Sequence, residues 1–241
     1  MKFKFIANAG GIFIGSRGTR ILCDPWIVDG IYEGAWYHYP PVKTKLSQIN
    51  NNIDGIYVSH VHPDHYDDRN FDFPKNIPLI ILDEGPNFLK KNLINKGYSN
   101  FIEIKNNETK EFKEFKLTLY KPFVKHIYEE SLIGNLIDSS LVLESHGVTA
   151  INFNDNQPDA NACLFLKKKF KNIDLAMLSY NAAGPYPSCF DDLTIEEKKS
   201  ESVRILEKNL NHMAEMVNTL KPKSVLPFAG SFIIGGKNFY K

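Results

Sequence analysis

Ser59-His60-Val61-His62-Pro63-Asp64-His65 follows directly on the apolar run Gly55-Ile56-Tyr57-Val58, and its reading decides the fold. It gathers three of the seven histidines and a carboxylate into six residues. In an extended segment successive side chains alternate faces, so His60 and His62 point the same way. Pro63 bends the chain, and a turn there brings Asp64 and His65 round to the same cavity. Imidazole nitrogens beside carboxylate oxygens are the donor set that zinc, iron or manganese takes. The bland alternative is a polar loop rich in histidine. Four donors in six residues after a buried strand argue against it.

The surroundings are ordinary for a globular protein. Apolar residues make up 43% of the 241, and 29 basic side chains nearly cancel 28 acidic ones. No global field steers the chain toward nucleic acid or an anionic membrane, and Lys167-Lys168-Lys169 reads as solvated surface. Met1-Lys2-Phe3-Lys4-Phe5 lacks the apolar core of a signal peptide, and no run approaches the roughly 20 apolar residues of a membrane span. The three cysteines, Cys23, Cys163 and Cys189, form no CxxC. A cytoplasmic protein with reduced thiols is expected.

Outward from the histidine stretch, residues 3–25 read as strands turned at Gly15-Ser16-Arg17-Gly18 and stopped at Asp24-Pro25-Trp26. Residues 27–43 form an aromatic loop around Trp36-Tyr37-His38-Tyr39, which covers the core or lines a pocket. A short helix is expected near 44–52, a strand over 55–59, a buried strand over 78–82 and a helix over 86–96 closed by Gly97. Strands follow at 101–104 and 115–120, then a hairpin over 140–153 that turns at His146-Gly147, and a strand over 174–178. One long helix runs from about Thr194 to Leu220, opened by the capping-box pair Thr194 and Glu197. Val203, Leu206, Leu210, Met213, Val217 and Leu220 mark its apolar face. Strand 224–228 comes last. With no linker or repeat, residues 1–241 read as a single domain of packed sheets with helices outside.

At 60–65 the sequence resembles the HxHxDH signature of the metallo-β-lactamase fold superfamily. That resemblance implies an α/β (α+β) fold, a four-layer αβ/βα sandwich with the metal site at one edge. Ile21-Leu22-Cys23-Asp24-Pro25-Trp26 is similar to the strand and DPW turn of the branch holding ascorbate-6-phosphate lactonase and N-acyl-phosphatidylethanolamine phospholipase D. Closer still is the metallo-β-lactamase-like domain of CMP-N-acetylneuraminate hydroxylase. The resemblance to it runs through Asp24-Pro25-Trp26, the segment with His38 and Pro40-Pro41, Ile56 to His60, and Pro227-Phe228-Ala229-Gly230. Two departures stand out. The CxH and CxxH segments of a Rieske iron–sulfur domain are not in this sequence, and no histidine follows His212 where the superfamily places its last ligand.

By that pattern His60 and His62 bind a first metal with His126, while Asp64 and His65 bind a second, with Asp155 as the bridging carboxylate. Asp64 and Asp155 are also the candidate catalytic groups, orienting a nucleophilic water or passing its proton on. His38 either borders the pocket or replaces the missing ligand; Tyr180 and Asn181, ending a strand at the metal edge, are candidate substrate contacts. Asp24 is expected to hold a ligand imidazole, and His146 and His212 to be structural. The cofactor expected is one or two divalent ions, zinc first, with iron or manganese as alternatives. The resemblance implies a metal-dependent hydrolase that uses metal-bound hydroxide on a small polar anion, such as a phosphorylated or nucleotide-linked sugar. Its rivals are an iron-dependent oxygenase fed by a redox partner and a non-catalytic metal-binding remnant.

Overall fold

The computed structural model describes residues 1–49, 52–69, 71–124, 138–181, 184–230 and 232–235. The first sheet combines β1 (Lys2–Ala7), β2 (Gly10–Ile14), β3 (Arg20–Cys23), β5 (Gly55–Tyr57), β6 (Leu79–Leu82) and β7 (Phe101–Ile104), in the order β1-β2-β3-β5-β6-β7. The second combines β8 (Thr109–Phe112), β9 (Phe115–Tyr120), β10 (Ser140–Ser145), β11 (Val148–Asn152), β12 (Leu175–Ser179) and β13 (Ser224–Phe228), in the order β13-β12-β11-β10-β9-β8. β4 (Trp36–His38) pairs with β14 (Phe232–Ile234) in a separate ribbon. β3, β5, β6 and β7 run parallel, which explains why β5 and β6 are buried at every position. Pro227 lies in β13, an edge strand, where a residue without an N–H is tolerated.

Period-two alternation builds the layers. Ile21, Cys23, Tyr57, Ile80 and Leu82 face Leu117, Leu119, Leu141, Leu143 and Met177 across the sandwich. Their neighbours Leu22, Ile56, Leu79 and Ile81 face outward onto Leu89 and Leu93 of helix α3 (Phe88–Asn95). On the other side Val142, Ile151 and Ala176 pack on Cys163, Leu166 and Phe170 of α4 (Ala160–Phe170) and on Met216 and Leu220 of α5 (Ile195–Leu220). Helix, sheet, sheet, helix is the four-layer order expected. The shorter helical segments are α1 (Ile31–Gly34) and α2 (Leu46–Ile49).

Several boundaries differ from expectation. The strand over 55–59 ends at Tyr57, and the helix near 44–52 is one turn. Helix α4 is not among the expected elements, although Asp159 caps it by accepting from the Ala162 N–H at 2.7 Å. Its lysines lie in the last turn, where the helix dipole favours cations. On α5 the capping box forms, but only part of the expected face packs: Met216 and Leu220 are buried, whereas Val203, Leu206 and Leu210 are exposed.

Candidate metal centre

The candidate residues gather where strands end at one edge of the sandwich. Asp24 follows β3, residues 59–65 follow β5, Asp155 follows β11 and Tyr180 follows β12; Asp138 precedes β10. Backbone bonds fix the loop: the His65 and Tyr66 N–H groups both donate to the His62 carbonyl, at 2.9 and 2.7 Å. That turn carries Asp64 and His65 back to the cluster.

His60 Nε2 and His62 Nδ1 lie 2.8 Å apart. His60, His62 and Asp155 each offer a donor atom within 4.8 Å of the others, and so do Asp64, His65 and Asp155. Asp155 is common to both groups. Its Oδ2 is 3.3 Å from His65 Nε2 and 3.9 Å from His60 Nε2. His65 Nε2 is buried without a hydrogen-bond partner among the described residues. An orphaned ring nitrogen facing two carboxylates, in an all-nitrogen and oxygen donor set, fits a divalent cation.

The electrostatics agree. Burial holds the His60 ring below its ordinary range, helped by His65 and His62, so its neutral, ligating form prevails. Burial alone would also lower His65, but Asp64, Asp155 and Asp24 outweigh it and raise the ring well above the usual value. Burial would lift Asp64; His65, the Tyr32 hydroxyl and His62 pull it below the ordinary range instead.

A supporting wall stands behind the rings. Asp24 Oδ1 accepts from the Ser59 N–H at 2.8 Å, and Asp24 Oδ2 is 3.3 Å from His65 Nδ1. Asp24 thus stands directly behind a cluster imidazole, the place expected of it. Ser59 Oγ lies 2.9 Å from His60 Nδ1 and 3.1 Å from His65 Nδ1. Two neighbours escaped sequence reasoning. Asp138 Oδ1 stands 3.5 Å from His60 Nδ1, and Tyr32 donates to Asp64 Oδ1 at 2.9 Å. Neither carries a local signal, because each reaches the cluster only through the fold.

The remaining candidates divide. His126 lies outside the described residues. His38 sits in the aromatic loop, its Nδ1 2.7 Å from Asp29 and its Nε2 3.3 Å from the Trp26 carbonyl, so both ring nitrogens have protein partners. Asn181 donates to the Gly230 carbonyl at 3.2 Å. The Tyr180 ring approaches Gly230 so closely that a Cβ there would stand 2.8 Å from it, which accounts for glycine at this position. His212 faces the Pro158 carbonyl at 3.2 Å, and His146 stands 3.6 Å from Glu114 in the distant hairpin turn. Neither belongs to the two donor groups.

The fold is the metallo-β-lactamase fold. The chain superposes on a metallo-β-lactamase fold protein from Bacillus subtilis with a TM-score of 0.50, at 13% identity over 95% of this chain and 92% of that one. It superposes on a "possible metal-dependent hydrolase" from Veillonella parvula with a TM-score of 0.63, at 17% identity over 96% of this chain and 98% of that one. For CmlA, a diiron β-hydroxylase from Streptomyces venezuelae, the TM-score is 0.65, at 14% identity over 94% and 44%. No family model matches the sequence. In sequence the chain is 28% identical over 240 residues to a "Putative Rieske 2Fe-2S iron-sulfur protein" of Mycolicibacterium smegmatis, covering 95% of this chain and 43% of that protein. It is 25% identical over 233 residues to the inactive cytidine monophosphate-N-acetylneuraminic acid hydroxylase of Homo sapiens, covering 89% and 42%. The chain therefore spans less than half the length of these curated relatives. No helix among the described residues is long and apolar enough to cross a membrane.

Proposed function

We propose that the protein is a metal-dependent hydrolase acting on a small polar anion, such as a phosphorylated or nucleotide-linked sugar. The observation that carries this reading is the position of Asp155, shared by the His60/His62 group and the Asp64/His65 group. One carboxylate placed between two sets of donors suits a pair of divalent ions. Such a pair supplies Lewis acidity and lowers the pKa of a bound water. Asp155 is one-third exposed at its side chain whereas Asp64 is buried. That exposure supports Asp155, rather than Asp64, as the carboxylate that takes a proton from the attacking water and returns it to the leaving group. Asp64, held by Tyr32, keeps its orientation.

A second reading, an iron-dependent oxygenase supplied by a redox partner, is favoured by the names of the sequence relatives and by CmlA. The same nitrogen and oxygen donors hold iron as readily as zinc. Metal analysis of protein purified without added metal, with turnover on a panel of phosphorylated and nucleotide-linked sugars, separates the two. About two zinc or manganese ions per chain with hydrolysis supports the first reading. Iron with a visible absorption band and reductant-dependent oxygen uptake supports the second. Metal binding without turnover fits the remnant. An undiminished metal content in His60→Ala combined with His62→Ala overturns all three.

A further inference from the structure

His60 and His65 both turn their Nδ1 atoms away from Asp155 and into the wall of the sandwich. Behind each stands a different buried carboxylate, Asp138 at 3.5 Å and Asp24 at 3.3 Å. We propose that Asp138 is a positioning residue for the metal position formed by His60, His62 and Asp155, and Asp24 its counterpart for the position formed by Asp64, His65 and Asp155. The proposal rests on the dinuclear reading of the cluster and deepens it.

Three observations carry it. First, Asp138 Oδ1 and Asp24 Oδ2 are both buried without a hydrogen-bond partner among the described residues. An unsatisfied buried carboxylate oxygen is costly, and its persistence calls for a function. Second, the group facing each orphan oxygen is an imidazole Nδ1. Ser59 Oγ approaches both of these Nδ1 atoms, at 2.9 and 3.1 Å; a cation held on Nε2 would make Nδ1–H a stronger donor, which Ser59 and the carboxylate behind it would share. Third, Asp138 is held in place from outside the cluster. The next residue, Ser139, donates its hydroxyl to the Ser59 carbonyl at 3.0 Å, and its own carbonyl accepts from Tyr57 at 2.7 Å.

The two carboxylates come from different sheets, Asp24 at the end of β3 and Asp138 at the start of β10. Their effects should therefore separate. Chelator-stripped protein would be titrated with zinc against a competing chromophoric chelator, with metal-free melting followed alongside. Asp138→Asn is expected to weaken the binding step that His60→Ala abolishes, by about 10- to 100-fold, and to leave the other step unchanged. Asp24→Asn should do the converse. Metal-free Asp138→Asn protein should melt at or above the wild-type temperature, because the change removes an unpartnered buried carboxylate. Two unchanged steps, two steps weakened equally, or a lower metal-free melting temperature with both steps intact would overturn the proposal. Complete loss of the step would make Asp138 a ligand and overturn it too. Should Asp138→Asn fail to fold, Asp138→Glu moves the carboxylate by one methylene and is titrated in its place: selective weakening of the same step supports the positioning role, and an unchanged step overturns it. Both zinc steps surviving His60→Ala at wild-type affinity would overturn the metal-centre reading itself rather than the role of Asp138.

Discussion

Tyr32 shows how a side chain 32 positions before Asp64 in sequence bears on the cluster. Its backbone is left-handed, at φ 51 and ψ 59, and Glu33 follows at φ 54 and ψ 34. Non-glycine residues there cost of order 1–3 kcal/mol each and persist where surrounding contacts impose them. One such contact is the hydroxyl donated to Asp64 Oδ1, which helps keep that carboxylate ionised and aimed at the centre. Tyr32→Phe keeps the ring and deletes the bond. The expected result is a loss of about 10-fold in affinity at the position that includes Asp64. Circular dichroism should be unchanged. Zinc titration checks this, and wild-type affinity in Tyr32→Phe would show the bond to be incidental.

Glu114 fastens the two sheets at the end opposite the metal edge. It sits in the turn between β8 and β9 and accepts from the Ser16 hydroxyl at 3.0 Å and from the Arg17 and Thr19 N–H groups in the turn between β2 and β3. Those donors hold its carboxyl at about 2, against an ordinary 4.5, overcoming a desolvation that acts the other way. Because the folded value is depressed, its stabilisation is complete above pH 4.5 and is lost as pH falls from there toward 2. Glu114→Gln should therefore melt earlier than wild type at neutral pH and lose less stability on acidification across that window. Parallel melting curves that keep a constant gap down to pH 2 would contradict it. The β2–β3 turn was legible from Gly15 and Gly18 because turn chemistry is local, and the histidine loop was legible because its donors are contiguous. Glu114, Asp138 and Tyr32 were not, since their partners lie 98, 78 and 32 residues away. Helix α4 is obscure in sequence for another reason: Lys167-Lys168-Lys169 gives its last turn the look of solvated surface, while Cys163, Leu166 and Phe170 supply only a short apolar stripe.

At the scale of the whole molecule, the candidate centre joins the two sheets. Asp24 and residues 59–65 come from the first, and Asp138 and Asp155 from the second. Metal ions at this edge would act as cross-links, whereas Glu114 ties the far edge through hydrogen bonds to the β2–β3 turn. Removing metal should therefore loosen one end of the sandwich and spare the other. Zinc binds the folded chain through donors that the unfolded chain scatters, so at 100 times its dissociation constant each ion adds about 2.7 kcal/mol of stability. Chelation should lower the melting temperature, and zinc should restore it in proportion to the logarithm of its concentration. Hydrogen exchange gives the spatial half of the test. Amides of residues 59–66 and 153–157 should lose protection on chelation, while those of residues 15–20 keep theirs. Uniform loss at both ends would mean that metal stabilises the fold globally rather than clasping one edge. No change at either end, in protein shown to have released its metal, would mean that the protein wall behind His60 and His65 holds the edge by itself.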